Sequence, residues 1–128
     1  MFLTRGRLHV NEILFDLDRL ETENYFIDVD VTLKSTADKV GTNTNYLSYV
    51  INSKKGINFP TYINGIRINY IVKEIIENKR IRLLSMDGLA NTAGFKTRQK
   101  FSDAFLEKTG VRPSYFIANI DKVNMGQD

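Results

Sequence analysis

The stretch FSDAFLEKTG, residues 101–110, has a counterpart 54 positions earlier in LSYVINSKKG, residues 47–56. Both open on a large apolar residue and a serine, carry apolar residues at their fourth and fifth positions, and place a lysine two residues ahead of a closing glycine. The likeness continues upstream. TADKVG at 36–41 matches LANTAG at 89–94, pairing Ala37 with Ala90 and Gly41 with Gly94 at an offset of 53, so the second copy has one extra turn residue. A phrase written twice at fixed spacing marks a repeated supersecondary unit. Each copy predicts a short helix, a glycine-containing turn and a second helix with a polar cap, Asn43 or Thr97.

A short helix, tight turn and second helix form the helix-turn-helix arrangement. At 100° per residue, Tyr46, Leu47, Val50 and Ile51 share one side of the first copy's second helix, and Asn45, Ser48, Tyr49 and Asn52 share the other. In the second copy Phe101, Ala104 and Phe105 point inward. Gln99, Ser102, Asp103 and Leu106 point outward, with Arg98 and Lys100 at the helix start. Each second helix thus pairs an apolar face with a polar, hydrogen-bonding one.

Between the copies, FPTYINGIRINYIVKEIIENKR changes its apolar stripe midway. Phe59, Tyr62, Ile63, Ile66 and Tyr70 form one stripe, and Ile68, Ile71, Val72 and Ile75 form another about 180° away. The pattern predicts a helix gripped by a different module at each end, with Pro60 in the first turn, where proline is tolerated. About 19 residues at about 1.5 Å each span roughly 30 Å, close to the roughly 34 Å between points one turn apart on a DNA duplex. An ordinary buried helix would need only one wide stripe.

Upstream, Val10, Ile13, Leu14, Leu17 and Leu20 line one face of an acidic amphipathic helix expected to pack on the first module. YFIDVDVTL is expected to be an extended lead into Thr32, a candidate N-cap. A last short helix is expected to start at Pro113. The expected organisation is an N-terminal remnant or arm over 1–9, a first subdomain over 10–56, a linker helix over 57–80, a second subdomain over 81–120 and a flexible tail over 121–128.

Composition narrows the chemistry. With 128 residues the chain is one domain or two very small modules, and with 42% hydrophobic residues it can bury an interior. It has no cysteine and one histidine, His9, which excludes disulfides, zinc ribbons and thiol catalysis. No serine has a histidine partner in a recognisable motif, no phosphate-binding glycine motif occurs, and the pairs Asp16/Asp18 and Asp28/Asp30 lack further metal ligands, so they are expected to be solvated. The reading is therefore not an enzyme, with no cofactor, no metal and no membrane span; a cytoplasmic location is expected. Residues 1–30 carry three basic and seven acidic side chains, whereas residues 31–128 carry 15 basic and eight acidic. The repeated part is the basic part, which favours a polyanionic partner.

The repeat, the connecting helix and GF…FSDAFLEKTGVRPSYF resemble the AraC/XylS family of bacterial transcription regulators over residues from about 12 to 118. Ala90 four residues before Gly94-Phe95, then Phe101, Phe105, Gly110 and Pro113, carry the resemblance, with Arg67 in the connecting helix. It implies an all-α fold of about seven homeodomain-like helices, with two helix-turn-helix subdomains joined by a long linker helix. It also implies sequence-specific binding of double-stranded DNA, with two recognition helices in successive major grooves and RNA polymerase as a candidate second partner. A missing N-terminal sensor or dimerisation region is expected. Asp103 and Leu106 replace residues that are commonly basic in the family, Thr36 stands at a usually larger apolar position, and Gly88 falls inside a helix at an expected cost of about 1 kcal/mol relative to alanine.

On this reading Asn45, Ser48, Tyr49 and Asn52 face bases in one groove, and Arg98, Gln99 and Ser102 in the next. Arginine can pair with guanine, and asparagine or glutamine with adenine. Asn43, Thr44, Lys54, Lys55, Lys96, Thr97 and Lys100 are the phosphate candidates, the two caps directing positive helix ends outward. The bland alternatives are solvated lysines and, for Tyr49, simple packing. Arg5 and Arg7 are a candidate minor-groove arm. The competing function is a helical protein-interaction module that has lost DNA binding, suggested by the altered second face.

Overall fold

The computed structural model describes residues 2–120, with side chains from His9 onward. It contains seven α-helices, and no strand among the described residues: α1 (Phe2–Thr22), α2 (Leu33–Lys39), α3 (Thr44–Lys55), α4 (Phe59–Glu77), α5 (Met86–Ala93), α6 (Arg98–Thr109) and α7 (Pro113–Ala118). Short 3-10 turns occupy Tyr25–Ile27 and Ile81–Leu83. The chain forms two compact units. The first comprises residues up to Phe26 with Asp30–Ile63, and the second Ile27–Val29 with residues from Asn64 on. The candidate arm side chains at 5–7 and the tail at 121–128 lie outside the described residues.

In the first unit, α1 turns Ile13, Leu17 and Leu20 fully inward at three- and four-residue spacings, as its amphipathic pattern requires. The other buried apolar residues of this unit are Phe26, Ala37, Val40, Leu47, Val50 and Ile51, together with Phe59, Tyr62 and Ile63 from the start of α4. Asn24, just beyond α1, adopts φ 61°, the left-handed conformation that ends many helices and that asparagine tolerates. At the head of α2, Thr32 and Ser35 form a reciprocal capping box: each side-chain oxygen accepts from the other's backbone N–H. Thr36, next in line, is fully buried, and its hydroxyl donates to the Thr32 carbonyl at 2.8 Å. A polar residue is accommodated at that apolar position because its one polar atom is satisfied.

The extended lead expected over residues 25–33 is only partly correct. Tyr25–Ile27 forms a 3-10 turn that inserts Phe26 into the core, edge-on to the Tyr62 ring at 5.7 Å. Without a neighbouring strand to pair its backbone, the segment satisfies itself locally and anchors through an aromatic ring. The Tyr62 hydroxyl donates to Glu21 at 2.6 Å. Burial first, and this hydrogen bond second, push its own ionisation far up, so it stays protonated and remains a donor.

In the second unit the rest of α4 contributes Ile68, Ile71 and Ile75, all fully buried, against Leu89, Ala90, Ala93, Phe95, Phe101, Phe105 and Ile120. The two apolar stripes of α4 therefore serve different cores, one per unit, and Ile66 and Tyr70 of the first stripe are only half-buried. A chain of aromatic contacts runs Phe95–Phe101–Phe105–Phe116 at 5.6–5.8 Å between centroids. Such tilted and edge-on pairs each add about 0.5–1.5 kcal/mol to what their burial contributes. The open carbonyls at the end of α4 are closed by Arg82, which donates to Ile75 and Ile76 at 2.7 and 2.9 Å.

Arg67 is the one buried cation among the described residues. Its Nη2 donates to the Asp28 carbonyl at 2.9 Å, and its guanidinium lies 5.7 Å from the centroid of Phe95. Burial pulls its pKa down and the charge of Asp28 opposes that pull. Gly94 sits beside it with φ 98°, the left-handed conformation that closes α5. Gly88 falls inside a helix, as expected, in its first turn. It is the third residue of α5, its N–H donating to the Ser85 cap, and a Cβ there would stand only 3.3 Å from Leu84 and Ser85. The advantage expected for alanine is thereby offset by crowding.

Candidate nucleic-acid interface

Each helix-turn-helix second helix is set by its caps. Asn43 Oδ1 accepts from the Tyr46 N–H at 2.8 Å, and Thr97 Oγ1 accepts from the Lys100 N–H at 3.2 Å. Both helices end on left-handed glycines, Gly56 and Gly110. These caps stop α3 and α6 at 12 residues apiece and fix which residues turn outward. The unsatisfied N–H groups of each first turn leave a partial positive charge at the exposed end.

On α3, Leu47, Val50 and Ile51 are fully buried, Asn45, Tyr49 and Asn52 are exposed, and Ser48 and Thr44 are half-buried. The Asn52 amide donates to the Ser48 carbonyl at 2.8 Å, holding its side chain along the helix surface. Tyr46, assigned to the core side, is half-buried instead. It stacks on His9 at 5.7 Å and on Tyr49 at 6.0 Å, and Tyr49 remains 61% exposed. An aromatic stack this close to the outward face gives the first helix an apolar plate beside its amides. Sequence spacing alone does not reveal it, because His9 is distant in sequence from α3.

The cations differ in availability. Lys54 is exposed with no ion pair to a described residue, whereas Lys55 approaches Asp18 at 3.8 Å and lies 5.9 Å from the centroid of Tyr62. Lys96 and Lys100 are exposed at the head of α6, with no ion pair to a described residue. The acidic pair Asp16/Asp18 is engaged rather than simply solvated, Asp16 with Arg19 at 3.6 Å and Asp18 with Lys55. Asp28 offers its carbonyl to Arg67.

On α6, Phe101 and Phe105 are fully buried and Ala104 nearly so, while Arg98, Gln99 and Asp103 are exposed, and Ser102 is half-buried. Arg98 pairs with Asp87 at 3.3 Å. Asp103 Oδ1 accepts from Gln99 at 3.0 Å and from Arg112 at 2.9 Å, and the same Arg112 nitrogen donates to Ser102 at 3.0 Å. The donations from Arg112 first, and Gln99 second, hold the Asp103 carboxyl below the usual carboxylate range. Arg112 was missed by sequence reasoning. It occupies the N-cap position of α7 directly before Pro113, yet makes no capping bond. A non-capping residue where serine, threonine or aspartate is usual was the available clue.

Among the described residues no group of three or more histidines or carboxylates is placed to hold a metal ion, and no helix is long and apolar enough to cross a membrane.

A family model described as a helix-turn-helix domain matches residues 36–119. No curated protein matches the chain. Among solved structures, the C-terminal domain of AraT, a response regulator from Geobacillus stearothermophilus, is 24% identical over 89% of this chain and 84% of its own, with a TM-score of 0.65. A protein of unknown function from Listeria innocua is 23% identical over 83% of this chain and 94% of its own, at 0.69. The C-terminal domain of the two-component response regulator YesN from Fusobacterium nucleatum is 20% identical over 80% and 98%, at 0.65. At these identities the likeness is one of fold.

Proposed function

Since the chain belongs to the AraC-type helix-turn-helix family of DNA-binding transcription regulators, we propose that it binds double-stranded DNA sequence-specifically, α3 and α6 lying in successive major grooves. The observation that carries this reading is the two-sidedness of both helices. Each has a fully buried apolar face and an exposed face rich in amides, hydroxyls and cations. Asn45 and Asn52 offer donor–acceptor amides suited to adenine, with Ser48 and Tyr49 beside them, and Arg98, Gln99 and Ser102 form the second set. Lys54, Lys96 and Lys100, with Thr44 and the capped helix starts at Asn43 and Thr97, meet phosphates. Lys55 joins them only by exchanging Asp18 for a phosphate oxygen.

The competing reading, a protein-docking module, predicts the opposite behaviour of two substitutions. With a duplex selected from a randomised library, Asn45→Ala and Arg98→Ala should each weaken binding by about 1–3 kcal/mol and relax base preference at different positions of the site. Equal binding by wild type and both variants in a gel-shift titration would refute base reading by these faces.

A further inference from the structure

The second outward face carries an acid, Asp103, where a DNA-facing surface ought to avoid one. A carboxylate there is repelled by phosphate and lowers affinity for every duplex alike. Its geometry suggests a compensating role. Asp103 lies one turn beyond Gln99 on α6 and accepts from it at 3.0 Å; it also takes Nη1 of Arg112 at 2.9 Å, and that nitrogen reaches Ser102 at 3.0 Å. Arg112 comes from the turn before α7, its side chain free of capping duty. With Nη1 fixed between Asp103 and Ser102, Nη2 and Nε have no bond to a described residue.

We propose that Arg112 is a specificity-determining residue of the second reading face, presenting the free edge of its guanidinium to a guanine, and that Asp103 is the residue that positions it. The inference rests on the proposed DNA-reading function. Two arguments favour a base over a phosphate as the target. A guanidinium in direct contact with a carboxylate has much of its net charge cancelled, which weakens it as a phosphate ligand. The same contact restricts the orientation of the planar fork, and orientation is what the O6/N7 edge of guanine demands. Asp103 therefore trades general affinity for discrimination, and it orders Gln99 in the same network.

The opposing signs make the test sharp. Wild-type protein first selects its duplex from a randomised library. Dissociation constants for the selected and a scrambled duplex are then measured for wild type, Arg112→Ala, Arg112→Lys and Asp103→Asn, with thermal melts alongside. Arg112→Ala should lose about 10-fold or more of the selected-to-scrambled ratio, with relaxed base preference confined to one part of the site. Arg112→Lys keeps the charge and the stem but not the fork; it should melt like wild type and lose a similar ratio, and it decides the matter if the alanine variant folds poorly. Asp103→Asn should bind the scrambled duplex more tightly than wild type while its ratio falls. An unchanged ratio in Arg112→Lys, or a gain shared equally by both duplexes in Asp103→Asn, overturns this inference and leaves the parent function standing. Failure of the wild type to enrich any sequence overturns both.

Discussion

Gly94→Ala is expected to destabilise the protein by about 2–5 kcal/mol, while Gly41→Ala, its partner in the repeat, should cost only about 1–2 kcal/mol. Both glycines are left-handed, with φ 98° and 76°. A Cβ at Gly41 meets nothing within 4 Å, so only the backbone penalty applies. At Gly94 the added carbon would stand 2.5 Å from the Ile27 carbonyl oxygen and 2.8 Å from Arg67 Nε. Neither neighbour yields easily: one is backbone, and the other is a buried side chain tied to the Asp28 carbonyl at 2.9 Å. Urea denaturation of the two variants, compared by midpoint at equal slope, checks the difference. Equal losses would mean that the Ile27–Val29 segment is not seated against Gly94 as described.

Affinity for the selected duplex should fall by about 10³–10⁵ between 50 and 200 mM monovalent salt, with a log–log slope of roughly −5 to −8 for six to nine neutralised phosphates. The exposed Lys54, Lys96 and Lys100 and the two capped helix starts supply much of that contact. Arg98 and Lys55 must first leave Asp87 and Asp18, contacts of 3.3 and 3.8 Å. These pairs are exposed and weak, so exchanging them for phosphate costs little. Fluorescence anisotropy across a salt series measures the slope. A response near zero would mean that phosphate contacts do not drive binding.

Much of the fold was legible because the sequence states the helical repeat twice. The inward sets Leu47/Val50/Ile51 and Phe101/Ala104/Phe105 and the caps Asn43, Thr97 and Thr32 follow from a period of 3.6 and from capping chemistry, both local properties. The stripe change in α4 was equally readable, since Ile63 and Ile68 bury in different units on faces that spacing alone sets apart. What stayed hidden depends on residues distant in sequence. Phe26 enters the core because Tyr62 offers a ring edge 36 positions away, which no window around residues 25–33 contains. The Ile27 carbonyl makes a glycine necessary at position 94, 67 residues on.

The candidate interface divides in the same way. Exposure of Asn45, Tyr49, Asn52, Arg98 and Gln99 was implied by helical phase. The partners that occupy them were not. Asp87 reaches Arg98 from another helix, Arg112 reaches Asp103 across the turn before α7, and His9 stacks on Tyr46 from α1. A departure from an expected basic residue at 103 reads, in sequence, as a lost charge. In the structure an arginine lies against it.

Guanine N7 methylation protection on the selected duplex tests the central claim most directly, because guanine N7 lies in the major groove. Two recognition helices reading adjacent grooves predict two clusters of protected N7 positions, centred about 10 base pairs apart on one face of the duplex. A single cluster, or two on opposite faces, would contradict it.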